Sequence, residues 1–250
     1  MAEIIAIANQ KGGVAKTTTA LAFYDMLKQS GKKTLYIDVD PQCNSTYSFQ
    51  AQVDGVGTLY DLLIHGDTDC IQTTERGDII AGDPQLKEAG KMIDGPSANF
   101  RLKKGLESIV TEYEYVILDT PPALSVLLTN ALTAANKVVI PLLAGVYEVQ
   151  GLTQLGDTIR EVIEFTNPTL TVDGILLTRY DERTNLSKEI AEYLPQYARL
   201  LNTRIYETPI RDTTKVGEAH GARQSLFKWS PYCTAARDYK KVLKEVLSNG

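Results

Sequence analysis

Gln10-Lys11-Gly12-Gly13-Val14-Ala15-Lys16-Thr17-Thr18-Thr19 is the stretch on which the reading of this 250-residue chain turns. The apolar run before it, Ile4-Ile5-Ala6-Ile7-Ala8, reads as a buried strand, and Ala20-Leu21-Ala22-Phe23-Tyr24-Asp25-Met26-Leu27 after it reads as a helix. A strand, a glycine-bearing loop and a helix N-terminus together make an anion site. Backbone N–H groups point into the loop, and the helix dipole adds partial positive charge. A lysine and a threonine at the helix start supply a cation for phosphate and a hydroxyl for Mg²⁺. The expected phosphate contacts are Lys11, Gly12, Gly13, Val14, Ala15, Lys16, Thr17 and Thr18. The loop departs from G-x-x-x-x-G-K-[ST], since Gln10 and Ala15 stand where that pattern has glycine. Glycine before the lysine lets backbone approach phosphate without a Cβ. Ala15 is therefore expected to leave nucleotide binding intact and to slow turnover.

Outward from the loop, apolar strand-like runs alternate with helical stretches. Strands are expected at Ile4–Ala8, Thr34–Ile37, Asp78–Ala81, Tyr115–Leu118, Lys137–Pro141 and Val172–Thr178, and helices at Thr17–Gln29, Phe100–Val110, Glu148–Phe165 and Ala235–Leu247. Several of the runs are nearly continuous Val, Ile and Leu, as in parallel strands covered on both faces. The alternation predicts an α/β fold, a doubly wound and mostly parallel sheet with helices on both faces and ligands at the carboxyl ends of the strands. Two strands end there in acids. Tyr36-Ile37-Asp38-Val39-Asp40 places a carboxylate that can orient water or Mg²⁺, and Tyr115-Val116-Ile117-Leu118-Asp119 has the Walker B form. The metal ligands expected are Thr17, Asp40 and Asp119. Residues 51–97 are the least regular and read as short helices packed on one side of the sheet.

These motifs in this order resemble the ParA/MinD group of deviant Walker A ATPases, whose loop reads K-G-G-x-G-K-[ST]. Lys11, Gly12, Gly13, Lys16 and Thr17 match it, and Ala15 is the departure. The resemblance implies ATP and Mg²⁺ as cofactors, slow ATP hydrolysis and an ATP-dependent homodimer. In it Lys11 is the signature lysine that reaches the partner's nucleotide, and Asp40, the second aspartate of D-x-D-P-Q, is needed for hydrolysis. The likeness extends to Tyr147-Glu148-Val149-Gln150-Gly151-Leu152, to Asp173-Gly174-Ile175-Leu176-Leu177-Thr178 and to Arg183-Thr184-Asn185-Leu186. Arg211 and Asp212 fall where the group wraps adenine. No His or Glu stands out as a base, which phosphoryl transfer tolerates because positioning and charge carry most of the catalysis.

Charge and cysteine content narrow the setting. The net charge of −5 is unevenly spread: residues 1–178 carry −9 and residues 179–250 carry +4. A basic C-terminal third on an acidic protein is what a local polyanion-binding face leaves in a sequence. Together with the resemblance it implies DNA binding without sequence preference, through Lys188, Lys215, Arg223, Lys228, Lys241 and Lys244. A ParB-type partner is implied as well, and with it partition of plasmid or chromosomal DNA. The sequence reads as one domain, 1–250, without an N-terminal helix-turn-helix extension, and as cytoplasmic and nucleoid-associated. Cys43, Cys70 and Cys233 are too dispersed for a metal or cluster site. The alternative is a MinD-like or other cargo-positioning role. Against membrane attachment, Val242, Leu243, Val246 and Leu247 of the basic C-terminal helix suit a face packed on the domain. Trp229 and the tyrosines read as packing residues, and His65 and His220 as surface or packing residues.

Overall fold

The alternating inward and outward residues of the apolar runs sort into two cores, one on each side of a single sheet. The computed structural model describes residues 2–143 and 148–248, except for the side chains at 148–150, 185, 186, 188, 189 and 191. The first half of the chain runs β1 (Glu3–Ile7), α1 (Lys16–Gln29), β2 (Thr34–Asp38), α2 (Asn44–Phe49), α3 (Leu59–His65), β3 (Ile71–Thr73), β4 (Asp78–Ile80), α4 (Ala89–Met92), α5 (Arg101–Ile109) and β5 (Tyr115–Asp119). It continues through α6 (Val126–Ala134), β6 (Lys137–Leu143), α7 (Glu148–Phe165), β7 (Thr171–Thr178), α8 (Asn185–Leu200), β8 (Arg204–Ile205), α9 (Lys215–Gly221), α10 (Leu226–Trp229) and α11 (Thr234–Leu247). The sheet order is β3-β4-β2-β5-β1-β6-β7-β8. Every pairing is parallel except β3 with β4.

In β1, Ile5 and Ile7 join Tyr36, Ile117 and Val139 in a core covered by α1, α10 and α11. Ile4 and Ala6 point the other way, with Leu35, Ile37, Val116 and Leu118, into a core that α3 and α5 to α8 cover. This is the doubly wound sheet expected from the sequence. The rings of Tyr24, Tyr36 and Phe49 pack together with centroids 4.9–5.6 Å apart, Tyr24 edge to face with the other two, and lock α1 and α2 onto β2.

Several boundaries differ from the sequence reading. β1 spans Glu3–Ile7, so Ala8 lies past its end, although the Ala8 N–H still donates to the Val139 carbonyl at 3.0 Å. β3 and β8 were not anticipated, because three and two residues are too short to show a period. Residues 51–97 hold the antiparallel β3–β4 edge as well as short helices. The start of the Tyr147-led segment lies outside the described residues.

Candidate nucleotide site

The loop after β1 ends in a strained residue. Ala15 caps α1 in the left-handed conformation, φ 66°, with no side-chain cap for the helix. The first intrahelical bond starts at Thr19, whose N–H reaches the Ala15 carbonyl at 2.9 Å. The N–H groups of Lys16, Thr17 and Thr18 are thus left facing the loop, as an anion requires. Gly13 also has positive φ, 79°. Val14 is fully buried. Its carbonyl is within 3.1 Å of the Thr178 hydroxyl, which also lies 3.2 Å from the Leu142 carbonyl and ties the loop to the ends of β6 and β7.

Gly12, Gly13, Ala15, Lys16, Thr17 and Thr18 line a cleft of about 800 Å³ at the carboxyl edge of the sheet. Its far walls come from α2 (Asn44, Tyr47 and Ser48), from residues 210–214, and from α9 (Val216, Gly217 and His220). Arg211 and Asp212 therefore lie on the same cleft as the loop. The Arg211 guanidinium, however, is committed to Asp238 at 2.6 and 2.9 Å and holds its segment on α11. Asp212 pairs with Arg179 at 3.3 Å.

Lys16 is buried, and its Nζ donates to the Lys11 carbonyl at 2.8 Å. Desolvation pulls its pKa below the ordinary lysine value, and the charges of Asp119 and Asp40 oppose that shift. Lys11 is exposed at the mouth of the loop. Asp40 is buried and accepts from the Gln42 N–H at 2.9 Å.

Asp119 is in register with Asp38 across β5 and β2, so the two side chains share the face that α1 covers. Both are buried, and loss of water pushes both pKa values up, to about 7 for Asp38 and about 6 for Asp119. The Asp119 charge adds to the rise at Asp38, while the bond from Ser45 and the nearby Thr17 hydroxyl hold Asp119 lower. Asp38 is engaged through both oxygens. It accepts from the Thr46 N–H at 2.8 Å, the Thr46 hydroxyl at 2.7 Å and the Asp40 N–H at 3.2 Å. Asp119 differs in that Oδ2 accepts from Ser45 at 2.6 Å while the buried Oδ1 has no hydrogen-bond partner among the described residues. A buried carboxylate oxygen left open beside the Thr17 hydroxyl suits a hydrated divalent cation. By this test the residues present fit Mg²⁺.

Three contributors were not found from sequence. Thr178 carries the same signal as Asp119, a polar residue ending an apolar strand. Ser45 carries none, because only the tertiary fold brings it to Asp119, 74 residues away. His220 lines the cleft, and burial pulls its pKa down.

The polyanion candidates are spread over several helices. Lys215, on α9, is paired with Glu218 at 2.8 Å. Arg223 follows α9, Lys228 lies on α10, and Lys241 and Lys244 are exposed on α11. The Lys188 side chain is outside the described residues. On α11, Val242, Leu243 and Val246 are buried in the core, so the apolar face a membrane would need is already used, while Leu247 is 37% exposed. Trp229 and Tyr232 correct the packing expectation, with exposures of 42% and 81%. No helix of the described residues is long and apolar enough to cross a membrane.

Comparison with known proteins agrees with this geometry. A family model described as an AAA domain matches residues 2–172. The sporulation initiation inhibitor protein Soj of Bacillus subtilis is 38% identical over 257 residues, covering 100% of both chains. The chromosome partitioning protein ParA of Caulobacter vibrioides is 35% identical, over 98% of this chain and 94% of that one. Among solved structures, cobyrinic acid a,c-diamide synthase of Mycobacterium smegmatis, with bound ADP and magnesium, matches with a TM-score of 0.84 at 28% identity, over 100% of this chain and 95% of that one. Full-length coverage at this identity, on top of a loop, two strand-end aspartates and a cleft in the expected arrangement, decides the family: the chain belongs to the ParA/Soj group of partitioning ATPases, within the AAA-domain family.

Proposed function

We propose that this chain is an ATP-driven dimerising switch that binds DNA without sequence preference and moves replicon copies apart with a ParB-type partner. One observation carries the reading. Unpaired N–H groups of α1, the Lys16 ammonium and Thr17 serve one cleft, and Lys16 and Thr17 also neighbour Asp119, whose buried Oδ1 is open. The loop N–H groups and Lys16 bind the phosphates, giving up the Lys11 carbonyl that Lys16 holds without nucleotide. Thr17 and Asp119 hold Mg²⁺, which when bound neutralises charge on the phosphates. Asp40 orients the attacking water. Lys11, at the mouth, adds its charge to the nucleotide of a second copy, so catalysis is complete only in the dimer. Residues 1–250 work as one unit in the cytoplasm, on the nucleoid, and turnover is slow.

The test is sedimentation of the Asp40→Ala protein with ATP and Mg²⁺, together with nucleotide binding by wild type and Lys16→Ala. A dimer that needs both ATP and Lys16 supports the reading. A chain that stays monomeric at saturating nucleotide overturns it.

A further inference from the structure

Four polar groups meet on the exposed surface around the start of α9, where Thr214 also borders the cleft. The Glu218 carboxylate accepts from the Lys215 ammonium at 2.8 and 3.0 Å, from the Thr214 hydroxyl at 3.2 Å and from the Trp229 indole N–H at 3.3 Å. Three donors from two segments therefore converge on one anion, and the chain supplies that anion itself. The cluster is exposed. Exposed ion pairs of this kind contribute little, so another anion can replace the carboxylate at little cost. The surroundings favour an anion from outside. From residue 213 to the end the chain has seven Lys and Arg against three Asp and Glu, and one of those acids, Asp238, is buried against Arg211. Lys228 and Tyr232 flank Trp229 in the chain, and the Arg237 guanidinium donates to the Tyr232 carbonyl at 2.9 Å.

We propose that Thr214, Lys215 and Trp229 form a phosphate subsite for the DNA backbone, and that Glu218 fills it until DNA displaces the carboxylate. The inference rests on the DNA-binding reading above and deepens it, since neither Trp229 nor Glu218 belongs to the basic set read from the sequence. The subsite backs onto the nucleotide cleft, because α9 gives Val216, Gly217 and His220 to the cleft and Lys215 and Glu218 to this surface. The phosphate oxygen accepts the bonds that the carboxylate gives up. Glu218 then swings into solvent, where its charge still weakly opposes binding.

Trp229 is the only tryptophan in the chain, so its emission reports on this subsite alone. The experiment titrates wild type, with ATP and Mg²⁺, with a fluorescently labelled duplex of arbitrary sequence, reading DNA anisotropy and Trp229 emission together. Both signals are expected to move at the same DNA concentration. Glu218→Gln is expected to bind several-fold more tightly at low salt, with a salt dependence steeper by about one counterion. Trp229→Phe, read by anisotropy, is expected to bind more weakly. If anisotropy rises while Trp229 emission is unmoved and Glu218→Gln binds as wild type does, the subsite is wrong and the DNA-binding reading stands. If wild type binds no DNA, both fall. If inorganic phosphate alone reproduces the emission change at matched phosphate concentration, the site is a free-anion site and the DNA assignment is overturned.

Discussion

The Arg223 guanidinium lies over the Tyr47 ring, 3.8 Å from its centroid. Tyr47 lines the nucleotide cleft from α2, the helix that follows the Asp40 segment. Arg223 sits in the left-handed turn, φ 52°, just after α9. The stack therefore joins the segment that would sense nucleotide to a residue of the basic set. Tyr47→Ala is expected to free the guanidinium and raise DNA affinity without nucleotide about two- to fivefold, the equivalent of an exposed cation–π contact of about 0.5–1 kcal/mol. Tyr47→Phe, which keeps a ring, is expected to behave as wild type. DNA binding with and without ATP checks both.

Ala15 gives a prediction about strain. A non-glycine residue in the left-handed region costs about 1–2 kcal/mol, partly offset because glycine loses more backbone entropy on folding. Ala15→Gly is expected to stabilise the protein by about 0.5–1 kcal/mol, read as a higher urea midpoint, and to raise ATP turnover. An unchanged midpoint and unchanged turnover would mean that the methyl group costs nothing at this loop.

Asp38 and Asp119 predict how stability depends on pH. Unfolded, both ionise near pH 4. Folded and without metal, burial holds them protonated up to about pH 7 and 6. Between those limits the unfolded chain releases protons that the folded chain keeps. The contribution of the pair is thus full below about pH 4 and is lost as pH rises towards 7. Unfolding free energies from urea titrations should be lower at pH 8 than at pH 5.5 by an amount on the order of a few kcal/mol. Asp119→Asn should flatten part of that slope. ATP with Mg²⁺ should restore stability at pH 8 in wild type but not in Asp119→Asn.

Much of the fold was legible because its signals are local. The β1 loop and the helix after it, and β5 running into Asp119, are contiguous stretches whose burial pattern fixes them. A parallel sheet buried on both faces writes its strands as unbroken apolar runs. What the sequence hid depends on distant contacts. β3 exists only because β4 offers it an edge, and Ser45 reaches Asp119 only once α2 is seated by the Tyr24–Tyr36–Phe49 cluster. Nothing local in the sequence marks the structural part that Asp38 plays beside Asp40. The three bonds it accepts commit it to holding the start of α2 and leave Asp40 nearer the cleft. The exposure of Trp229 could not be read from its apolar neighbours Leu226 and Phe227, which are both buried.

Thr178 separates positioning from chemistry. Its hydroxyl is within bonding distance of the Val14 and Leu142 carbonyls, and so ties the phosphate loop to β6 and β7 from outside the loop. Thr178→Val keeps the shape and removes the donor, at a cost of about 1 kcal/mol in stability. With its tether gone the loop must be ordered by the nucleotide, so the KM for ATP is expected to rise several-fold while kcat changes little. Lys11→Ala should do the reverse, keeping nucleotide affinity and losing kcat, if Lys11 acts on the nucleotide of the opposite copy as proposed. Steady-state kinetics on the two variants, with wild type alongside, read the split directly. If Thr178→Val lowers kcat and leaves KM unchanged, the loop does not depend on this tether, and the order in the phosphate site must come from Ala15 and α1 alone.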